Sequence, residues 1–252
     1  MRAAVFSDVH GNLVALDAVL AAADRRHVDE LWIVGDLVAL GPQPAETVRR
    51  LMGLRRAQIV RGNTDRYVTT GDLSDAVPSL DTARTPDESR TLVATIAAHA
   101  WTRGCVTVAG GYDWLAHLPL EIRVVLPDGT RALLVHASPG SDDGPGVTDD
   151  MIDEDLAADG WTRADANLIF VGHTHRPLDR TVDSTRIVNV GSVSLPATAE
   201  PAAMWTLLDA TEAGYRIERC LAPYDLDAVA QALDDSRHPS AAYLRARLLA
   251  AR

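Results

Sequence analysis

The chain opens with Arg-Ala-Ala-Val-Phe-Ser at residues 2–7, and this stretch decides the fold. The run is short and mostly apolar, which predicts a strand buried in a sheet. Asn12 predicts a helix N-cap, because its side-chain oxygen can accept an amide hydrogen of the first turn. The apolar residues that follow have helical spacing: Leu13, Leu16, Leu20 and Ala23. The opening therefore predicts a strand, a short polar loop and a helix.

The alternation of strand and helix continues to residue 60 and then gives way to a pattern rich in strands. Residues 31–34 and 57–60 predict strands, and the helix between them begins near Pro44. Such alternation indicates parallel strands joined by right-handed crossovers. Further strands follow residue 119, including a hairpin of residues 178–182 and 186–190. We therefore expect an α/β (α+β) chain with two sheets.

The length of 252 residues fits a single domain, 1–252. Residues 66–118 interrupt the strand–helix pattern and predict a cap or lid insert outside the core, with a helix from about Asp87 to Ala100. We expect neither a signal peptide nor a membrane span, because the apolar start meets Asp8 at once and no run of ~18 apolar residues follows. The expected location is the cytoplasm.

The net charge is −11 at pH 7, and all 24 basic residues are arginines. This balance argues against a general nucleic-acid-binding protein, which needs a basic face for the phosphates. It is compatible with a phosphorylated substrate, because a bound metal ion reverses the local field. A homodimer is expected from the general frequency of symmetric oligomers.

Five short polar signatures each fall just past the end of a predicted strand. Ligands of open α/β sheets bind at the carboxyl ends of the strands, so these segments are expected to meet in one crevice. Each signature alone has an ordinary structural explanation as a turn, a helix cap or a core histidine. Together they are Asp8-Val9-His10, Gly35-Asp36 followed by Gly41, Gly62-Asn63-Thr64-Asp65, Leu134-Val135-His136, and Gly172-His173-Thr174-His175.

The signatures bring together two aspartates, one asparagine and four of the eight histidines. Mixed carboxylate and imidazole ligands suit divalent manganese, iron, zinc, nickel or cobalt. Seven groups exceed the needs of one ion, so two ions sharing a carboxylate are expected. Side chains alternate along a strand, which predicts that Asp8 and His10 project together, as do His173 and His175.

The order of the five signatures resembles that of the calcineurin-like metallophosphoesterases, in particular their small bacterial and archaeal phosphodiesterase branch. Asn189-Val-Gly-Ser192 supports the resemblance, since that branch tends to have Asn-Pro-Gly-Ser there. The resemblance covers nearly the whole chain and is weakest in residues 66–118 and the C-terminal tail. It implies a two-sheet β-sandwich flanked by helices, with four layers in the order αββα.

The resemblance also implies a ligand set for two divalent ions, with manganese expected first and iron, zinc, nickel or cobalt as alternatives. Asp36 would bridge the ions, and Asp36, Asn63 and His136 are the expected catalytic residues. A hydroxide held between the ions would attack phosphorus in line. The first ion would take Asp8, His10, Asp36 and His175, and the second Asp36, Asn63, His136 and His173.

Thr64 departs from the family pattern. Larger members have a histidine here that is thought to protonate the leaving group, and a threonine hydroxyl is far too weak an acid to replace it. The expected substrates are therefore phosphodiesters or activated phosphomonoesters. Asp65 could orient a neighbouring ligand.

Two alternatives stay open: a Ser/Thr protein or small-molecule phosphomonoesterase, and a non-catalytic protein-binding scaffold on the same fold. Scaffold relatives tend to lose ligands, whereas this chain keeps all seven. Residues 142–159 are interpreted as an acidic, solvated face. His99, Trp101 and His117 could line the mouth of the site, with packing or surface roles as the alternative. Arg61 and Arg66 could reach a phosphate, with an ordinary surface role as the alternative.

Overall fold

The computed structural model describes residues 1–77, 85–195 and 202–248. The strands are β1 (Arg2–Phe6), β2 (Glu30–Val34), β3 (Ala57–Val60), β4 (Glu121–Val125), β5 (Arg131–Val135), β6 (Leu168–Val171), β7 (Leu178–Val182), β8 (Thr185–Asn189), β9 (Ala202–Thr211) and β10 (Gly214–Pro223). The helices are α1 (Leu13–Arg25), α2 (Pro44–Met52), α3 (Asn63–Thr70), α4 (Pro86–Val108), α5 (Tyr112–Ala116), α6 (Asp153–Ala158), α7 (Leu226–Ser236) and α8 (Ala241–Leu248).

The strands form two mixed sheets of five strands each. The first has the order β10-β9-β1-β2-β3, in which β1, β2 and β3 are parallel and β9 and β10 antiparallel. The second has the order β4-β5-β6-β8-β7, in which β5, β6 and β8 are parallel. The parallel strands at the centre of each sheet place their carboxyl ends at a common edge.

Side-chain alternation in β1 builds two cores at once. Ala3 and Val5 face the second sheet, whereas Ala4 and Phe6 face the helices that cover the first. Trp32 of β2 meets Phe170 of β6 between the sheets, with ring centroids 6.1 Å apart. A third apolar cluster packs α6 against the outer face of the second sheet. The predicted sandwich of two sheets flanked by helices is confirmed.

The predicted first helix and its cap are both present, since Asn12 Oδ1 accepts a hydrogen bond from the Ala15 amide at 3.1 Å. Helix α4 is longer than expected and runs to Val108, after a start capped by Thr85. Helix α3 was not predicted, because Gly62-Asn63-Thr64-Asp65 was interpreted as a turn. The Asp65 carboxylate instead accepts the Gly62 amide at 2.9 Å and starts a helix.

The segment 66–118 is part of the helical layer over its described residues, 66–77 and 85–118. Val106 and Leu115 are buried in the same cluster as α1 and α2, so the expectation that this segment lies outside the core is wrong for its C-terminal half. Helix α4 packs on α2 and α3, so this part of the segment is joined to the rest of the domain. No helix within the described ranges is both long and apolar enough to cross a membrane.

Candidate metal centre

The five signatures converge at the carboxyl ends of the parallel strands, between the edges of the two sheets. Asp8, His10, Asp36 and His136 are buried. The three other predicted ligands are partly buried: Asn63, His173 and His175. All seven lie on loops or helix starts directly after β1, β2, β3, β5 and β6.

The backbone is left-handed at five of these seven positions. The φ angles are 57° at Asp8, 48° at His10, 54° at Asp36, 67° at His173 and 59° at His175. The expectation that strand alternation aims the paired ligands is therefore wrong, because β1 ends at residue 6 and β6 at residue 171. Tight turns after the strands orient these side chains instead. Each such conformation costs of order 1–3 kcal/mol in a non-glycine residue, which the surrounding packing must offset.

Four side chains surround the first candidate position. Asp8 Oδ1 lies 3.1 Å from His175 Nε2 and 3.6 Å from His10 Nε2. Asp36 Oδ2 lies 3.7 Å from His10 Nε2. Donor atoms of Asp8, His10 and His175 lie within 4.8 Å of one another and could hold one ion. Asp36, the fourth residue predicted for this ion, meets the group at His10.

The two histidines of this group face each other with their Nε2 atoms. His10 Nδ1 lies 3.0 Å from the Ala39 carbonyl and His175 Nδ1 lies 3.0 Å from the Leu195 carbonyl, so both Nδ1 atoms donate. The two Nε2 atoms are only 3.1 Å apart, so a proton on one of them is shared in the metal-free chain. Burial lowers the pKa of His175, but the carboxylates of Asp8 and Asp36 raise it above its ordinary value. A divalent cation would replace that proton, because imidazole nitrogens are common ligands of such ions.

The second candidate position lies on the other side of Asp36. Asp36 Oδ1 is 3.4 Å from His136 Nε2, so the two carboxylate oxygens face the two groups. His136 Nδ1 donates to the Val34 carbonyl at 2.7 Å, which leaves Nε2 free for a metal ion. His173 Nε2 donates to the Gly144 carbonyl at 2.8 Å, and its Nδ1 lies 3.3 Å from Asn63 Oδ1. Donor atoms of Asp8, Asp36 and His136 also lie within 4.8 Å of one another, so Asp8 belongs to both groups of close atoms. The structure thus brings all seven predicted residues together at one end of the strands.

The electrostatics favour positive charge at both positions. Burial alone would raise the pKa of Asp36, but His136, His10 and His173 hold it well below its usual range. Burial would lower the pKa of His136, but the carboxylates of Asp36 and Asp8 raise it to about 10. His136 Nε2 and Asp8 Oδ1 are buried without a hydrogen-bond partner among the described residues. A field that holds a proton here holds a divalent cation more strongly, because the attraction grows with charge.

Two glycines leave room for the carboxylates. A Cβ atom on Gly62 would lie 2.1 Å from Asp36 Oδ1, and one on Gly172 would lie 2.4 Å from Asp8 Oδ2. Both distances are far shorter than any van der Waals contact. Glycine is therefore required at these positions of the third and fifth signatures, because a side chain would collide with a carboxylate of the site.

Asn189 and Ser192 support the ligand turns, a role that sequence reasoning missed. Asn189 Nδ2 donates to the Gly172 carbonyl at 2.6 Å and to Thr174 Oγ1 at 2.9 Å. Ser192 Oγ donates to the Asp8 carbonyl at 3.1 Å. The motif Asn189-Val-Gly-Ser192 thus ties the first and fifth signatures together. The signal in the sequence was a pair of polar residues at the end of a strand and directly after it.

A loop after β5 touches the second candidate position. Tyr67 Oη donates a short hydrogen bond to Asp143 Oδ2, and Arg66 Nη2 lies 2.8 Å from the same oxygen. Arg61 and Arg66 also both pair with Asp142, which is buried. The arginines are therefore held by this loop, and the expectation of a solvated face is wrong at Asp142.

The remaining residues that the sequence singled out differ in their exposure and contacts. His117 is exposed and bonded to the Asp113 carbonyl, so it does not line the pocket. Trp101 packs against His238, with ring centroids 4.6 Å apart. The Thr64 amide donates to Asp36 Oδ1 at 3.0 Å, and its side chain is buried. His99 is buried against Tyr67.

Two sheets that meet at a cluster of aspartates and histidines are the architecture of the metallophosphoesterase fold. Residues 1–212 match the calcineurin-like phosphoesterase superfamily domain, and the chain belongs to that superfamily.

Similar proteins agree with this assignment. The crystal structure of a metallophosphoesterase from Sphaerobacter thermophilus is 27% identical, with a TM-score of 0.73, and the match covers 100% of this chain and 99% of that one. An uncharacterised protein of Methanocaldococcus jannaschii is 26% identical over 94% of this chain and 93% of its own length. A symmetrical bis(5'-nucleosyl)-tetraphosphatase of Psychromonas ingrahamii is 41% identical over only 27% of this chain and 25% of its own length.

Proposed function

We propose that this chain is a dinuclear metal-dependent phosphoesterase that hydrolyses phosphodiesters or activated phosphomonoesters. The observation that carries the proposal is the pair of facing Nε2 atoms of His10 and His175, 3.1 Å apart and flanked by Asp8 and Asp36. Donor atoms of Asp8, His10 and His175 lie within 4.8 Å of one another, a spacing that could hold a metal ion. The group lies at the carboxyl ends of the parallel strands, where ligands bind in open α/β sheets.

The ligand assignment is the one that the family resemblance implies. Asp8, His10, Asp36 and His175 would hold the first ion, and Asp36, Asn63, His136 and His173 would hold the second. When bound, two such cations lower the pKa of a shared water towards neutrality and neutralise the charge that develops on the phosphoryl oxygens. Mixed oxygen and nitrogen donors suit manganese, with iron, zinc, nickel or cobalt as alternatives.

Each chain residue then has a task that its contacts support. Asp36 keeps both positions at a fixed separation, because its two oxygens face different histidines. The Val34 carbonyl fixes the tautomer of His136, so that Nε2 stays a metal ligand. Asn63 stands at the start of α3, where its side chain can both bind the second ion and donate an amide hydrogen to a phosphate oxygen.

The substrate class follows from the surroundings of the site. Thr64 is no proton donor, which favours diesters or esters with good leaving groups over ordinary phosphomonoesters. The tetraphosphatase relatives suggest dinucleoside polyphosphates as one class to test. A protein phosphatase or small-molecule monoesterase is the competing activity, and a protein-binding scaffold is the competing non-catalytic function. We further propose that residues 1–252 form a single domain with the insert 66–118. The protein is proposed to be a cytoplasmic homodimer. It is proposed to bind neither membranes nor nucleic acids in general.

The test uses metal-depleted protein reconstituted with manganese or another divalent ion. Substrates are bis(4-nitrophenyl) phosphate, 4-nitrophenyl phosphate, diadenosine tetraphosphate and a phosphopeptide. Hydrolysis that needs the metal and is lost by at least about a hundredfold in Asp36→Asn supports the proposal. Asp17→Asn is the matched control, since this carboxylate is half exposed and pairs with Arg50 on the surface. Equal rates in wild type and Asp36→Asn would refute the proposal, and no hydrolysis with any metal would favour the scaffold.

A further inference from the structure

Thr64 gives the proposed reaction no proton for its leaving group, because its hydroxyl is far too weak an acid. A leaving oxygen that is stable without a proton removes this need. A phosphate oxygen is such a group, since a phosphate monoester loses its second proton at a pKa of about 6. The cleaved bond would then join two phosphoryl groups. What such a leaving group requires from the protein is positive charge and hydrogen-bond donors.

Two arginines flank the residue that begins α3. Arg61 directly follows β3, two residues before Asn63, and Arg66 lies three residues after Asn63 on α3. Residues three apart on a helix share a face, so Arg66 and Asn63 lie on one side of α3. The side chains of Arg61 and Arg66 are 33% and 21% exposed, so both are mostly covered and still open to solvent.

One buried carboxylate holds both arginines through the same kind of atom. Asp142 Oδ2 accepts a hydrogen bond from Arg61 Nε at 2.8 Å, and Asp142 Oδ1 accepts one from Arg66 Nε at 3.0 Å. Arg66 also lies over the Tyr67 ring, with its guanidinium carbon 4.9 Å from the ring centroid. Because both guanidinium groups bind one carboxylate, they lie side by side.

Most of the terminal nitrogens of this pair are unused. In the part of the chain that the structure describes, neither Nη atom of Arg61 makes a hydrogen bond, and neither does Nη1 of Arg66. Arg66 Nη2 donates to Asp143 Oδ2 at 2.8 Å and to Asp75 Oδ2 at 3.4 Å. A guanidinium is always charged, and its planar set of N–H donors matches the oxygens of a phosphoryl group.

Hydrogen bonds connect the pair of arginines to two proposed ligands of the second ion. Asp143 Oδ2 accepts from Arg66 Nη2 and from the Tyr67 hydroxyl. Burial and Asp143 raise the pKa of Tyr67, whereas a hydrogen bond with the Asn63 side chain lowers it. The carbonyl of the residue after Asp143 accepts from His173 Nε2 at 2.8 Å. The arginines are therefore joined to the second candidate position from two sides.

We propose that Arg61 and Arg66 bind the leaving phosphoryl group of a substrate in which two or more phosphoryl groups are linked. This inference rests on the proposed function and names its substrate class. Asp142 is a positioning residue, because it acts through the two arginines. Since Asp142 and Asp143 balance the charge of the pair, recognition depends on the direction of the N–H donors as well as on charge.

The atoms of the step balance without a proton donor. The oxygen of one water bonds to the attacked phosphorus, and the bond from that phosphorus to the bridging oxygen breaks with its electron pair on that oxygen. The leaving phosphate keeps this charge, which the N–H groups of Arg61 and Arg66 stabilise. Both protons of the water pass to the solvent or to the product phosphates, according to the pH.

The experiment compares a substrate that has one phosphoryl group with a substrate that has several. Protein loaded with manganese is assayed with bis(4-nitrophenyl) phosphate and with diadenosine tetraphosphate. We expect Arg61→Gln and Arg66→Gln to lose at least about tenfold more in kcat/KM on the tetraphosphate than on the nitrophenyl ester. Arg50→Gln is the matched control, because Arg50 pairs with Asp17 on the surface, and it should change neither rate.

A second measurement uses phosphonates that cannot be hydrolysed. Methylenediphosphonate has two linked phosphoryl groups, and methylphosphonate has one. At a fixed concentration of free manganese, the diphosphonate should inhibit the wild type at least about tenfold more strongly than the monophosphonate, and the ratio should fall in both variants. If the glutamine variants do not fold, Arg61→Lys and Arg66→Lys keep a charge beside Asp142. They should also lower the ratio, because lysine lacks the planar fork.

Equal losses on both substrates in folded variants, or an unchanged inhibitor ratio, would overturn the assignment. If no variant folds, the wild type decides. It should cleave diadenosine tetraphosphate at least about a hundredfold faster than a dinucleotide with one phosphodiester bond, whose leaving group is an alkoxide. A wild type that cleaves the nitrophenyl ester but prefers the dinucleotide would overturn only this assignment. A wild type inactive on every substrate with every metal would overturn the proposed function, and this assignment with it.

Discussion

Tyr67 and Asp143 join the two sides of the second candidate position. The Tyr67 hydroxyl on α3 donates to Asp143 Oδ2 on the loop after β5. The neighbouring Gly144 carbonyl accepts from His173 Nε2. The loop therefore holds α3, which begins at Asn63, and His173 in one arrangement.

Tyr67→Phe is expected to weaken the second metal ion and leave the first unchanged. Loss of a supporting hydrogen bond to a metal site costs roughly 10–100-fold in affinity. Calorimetric titration with manganese is expected to show two binding steps, of which only the step of the second ion shifts. Tyr112→Phe is the matched control, because its hydroxyl donates to the Thr69 carbonyl on the same helix without touching the loop. A shift of both steps, or of neither, would contradict the role of the loop.

Metal binding at pH 8 is expected to release protons. In the metal-free chain the pKa of His136 is about 10, against 6.5 in an unfolded chain, so this ring is protonated at pH 8. The ion must displace that proton, because a metal ligand is a neutral imidazole. Calorimetry in two buffers of different ionisation enthalpy measures the release. Identical heats in both buffers would show that His136 is already neutral.

The same shift predicts how the stability of the metal-free chain depends on pH. A raised pKa stabilises the folded state fully below the unfolded value of 6.5, and this contribution is lost as the pH rises through about 10. Denaturant midpoints measured from pH 6 to pH 10 should therefore fall. In His136→Gln the same fall should be smaller, and an equal fall in both proteins would assign the effect to other groups.

Gly62→Ala is expected to displace Asp36 and abolish binding of both ions. The added Cβ would lie 2.1 Å from Asp36 Oδ1, in a buried place with no room to move. Gly104→Ala is the control in α4, where a Cβ meets no atom within 4 Å. That change should stabilise the chain by up to about 1 kcal/mol. Retained manganese binding by Gly62→Ala, measured by calorimetry, would show that the carboxylate has another place to go.

Asn189→Ala is expected to destabilise the chain by roughly 1–3 kcal/mol, because it leaves the buried Gly172 carbonyl without its donor. Chemical denaturation measures this loss. Since Gly172 precedes His173, affinity for manganese should fall as well. Asn167→Ala is a suitable control, because this asparagine accepts only a long bond from the Arg131 amide, 3.3 Å, at an exposed edge. A similar loss in both variants would remove the special role of Asn189.

The sequence was sufficient to predict the two sheets and the seven residues that gather, because apolar runs mark buried strands and the polar signatures follow them directly. It was not sufficient for the way in which the side chains are aimed. Left-handed φ angles at Asp8, His10 and Asp36 arise from tertiary packing, which no local pattern of ordinary residues announces.

Contacts between distant loops also could not be predicted from the sequence. Arg66 is 76 residues from Asp142, and nothing in either segment marks the pairing. The sequence did not predict α3, because an aspartate at position 65 is typical both of a turn and of the start of a helix. His99 could be named from its residue type, but its free nitrogen beside α3 is visible only in the folded chain.

The origin of the proposed ligands has a consequence for how substrate selectivity can change. Every proposed ligand directly follows a strand of the sandwich, and Asn63 is the one ligand that comes from the segment between β3 and β4, near its start. Exchanging residues 71–118 between homologues would replace helices that pack on α3 and leave all seven proposed ligands in place. Selectivity can then change in evolution while the turns that carry the proposed ligands stay the same.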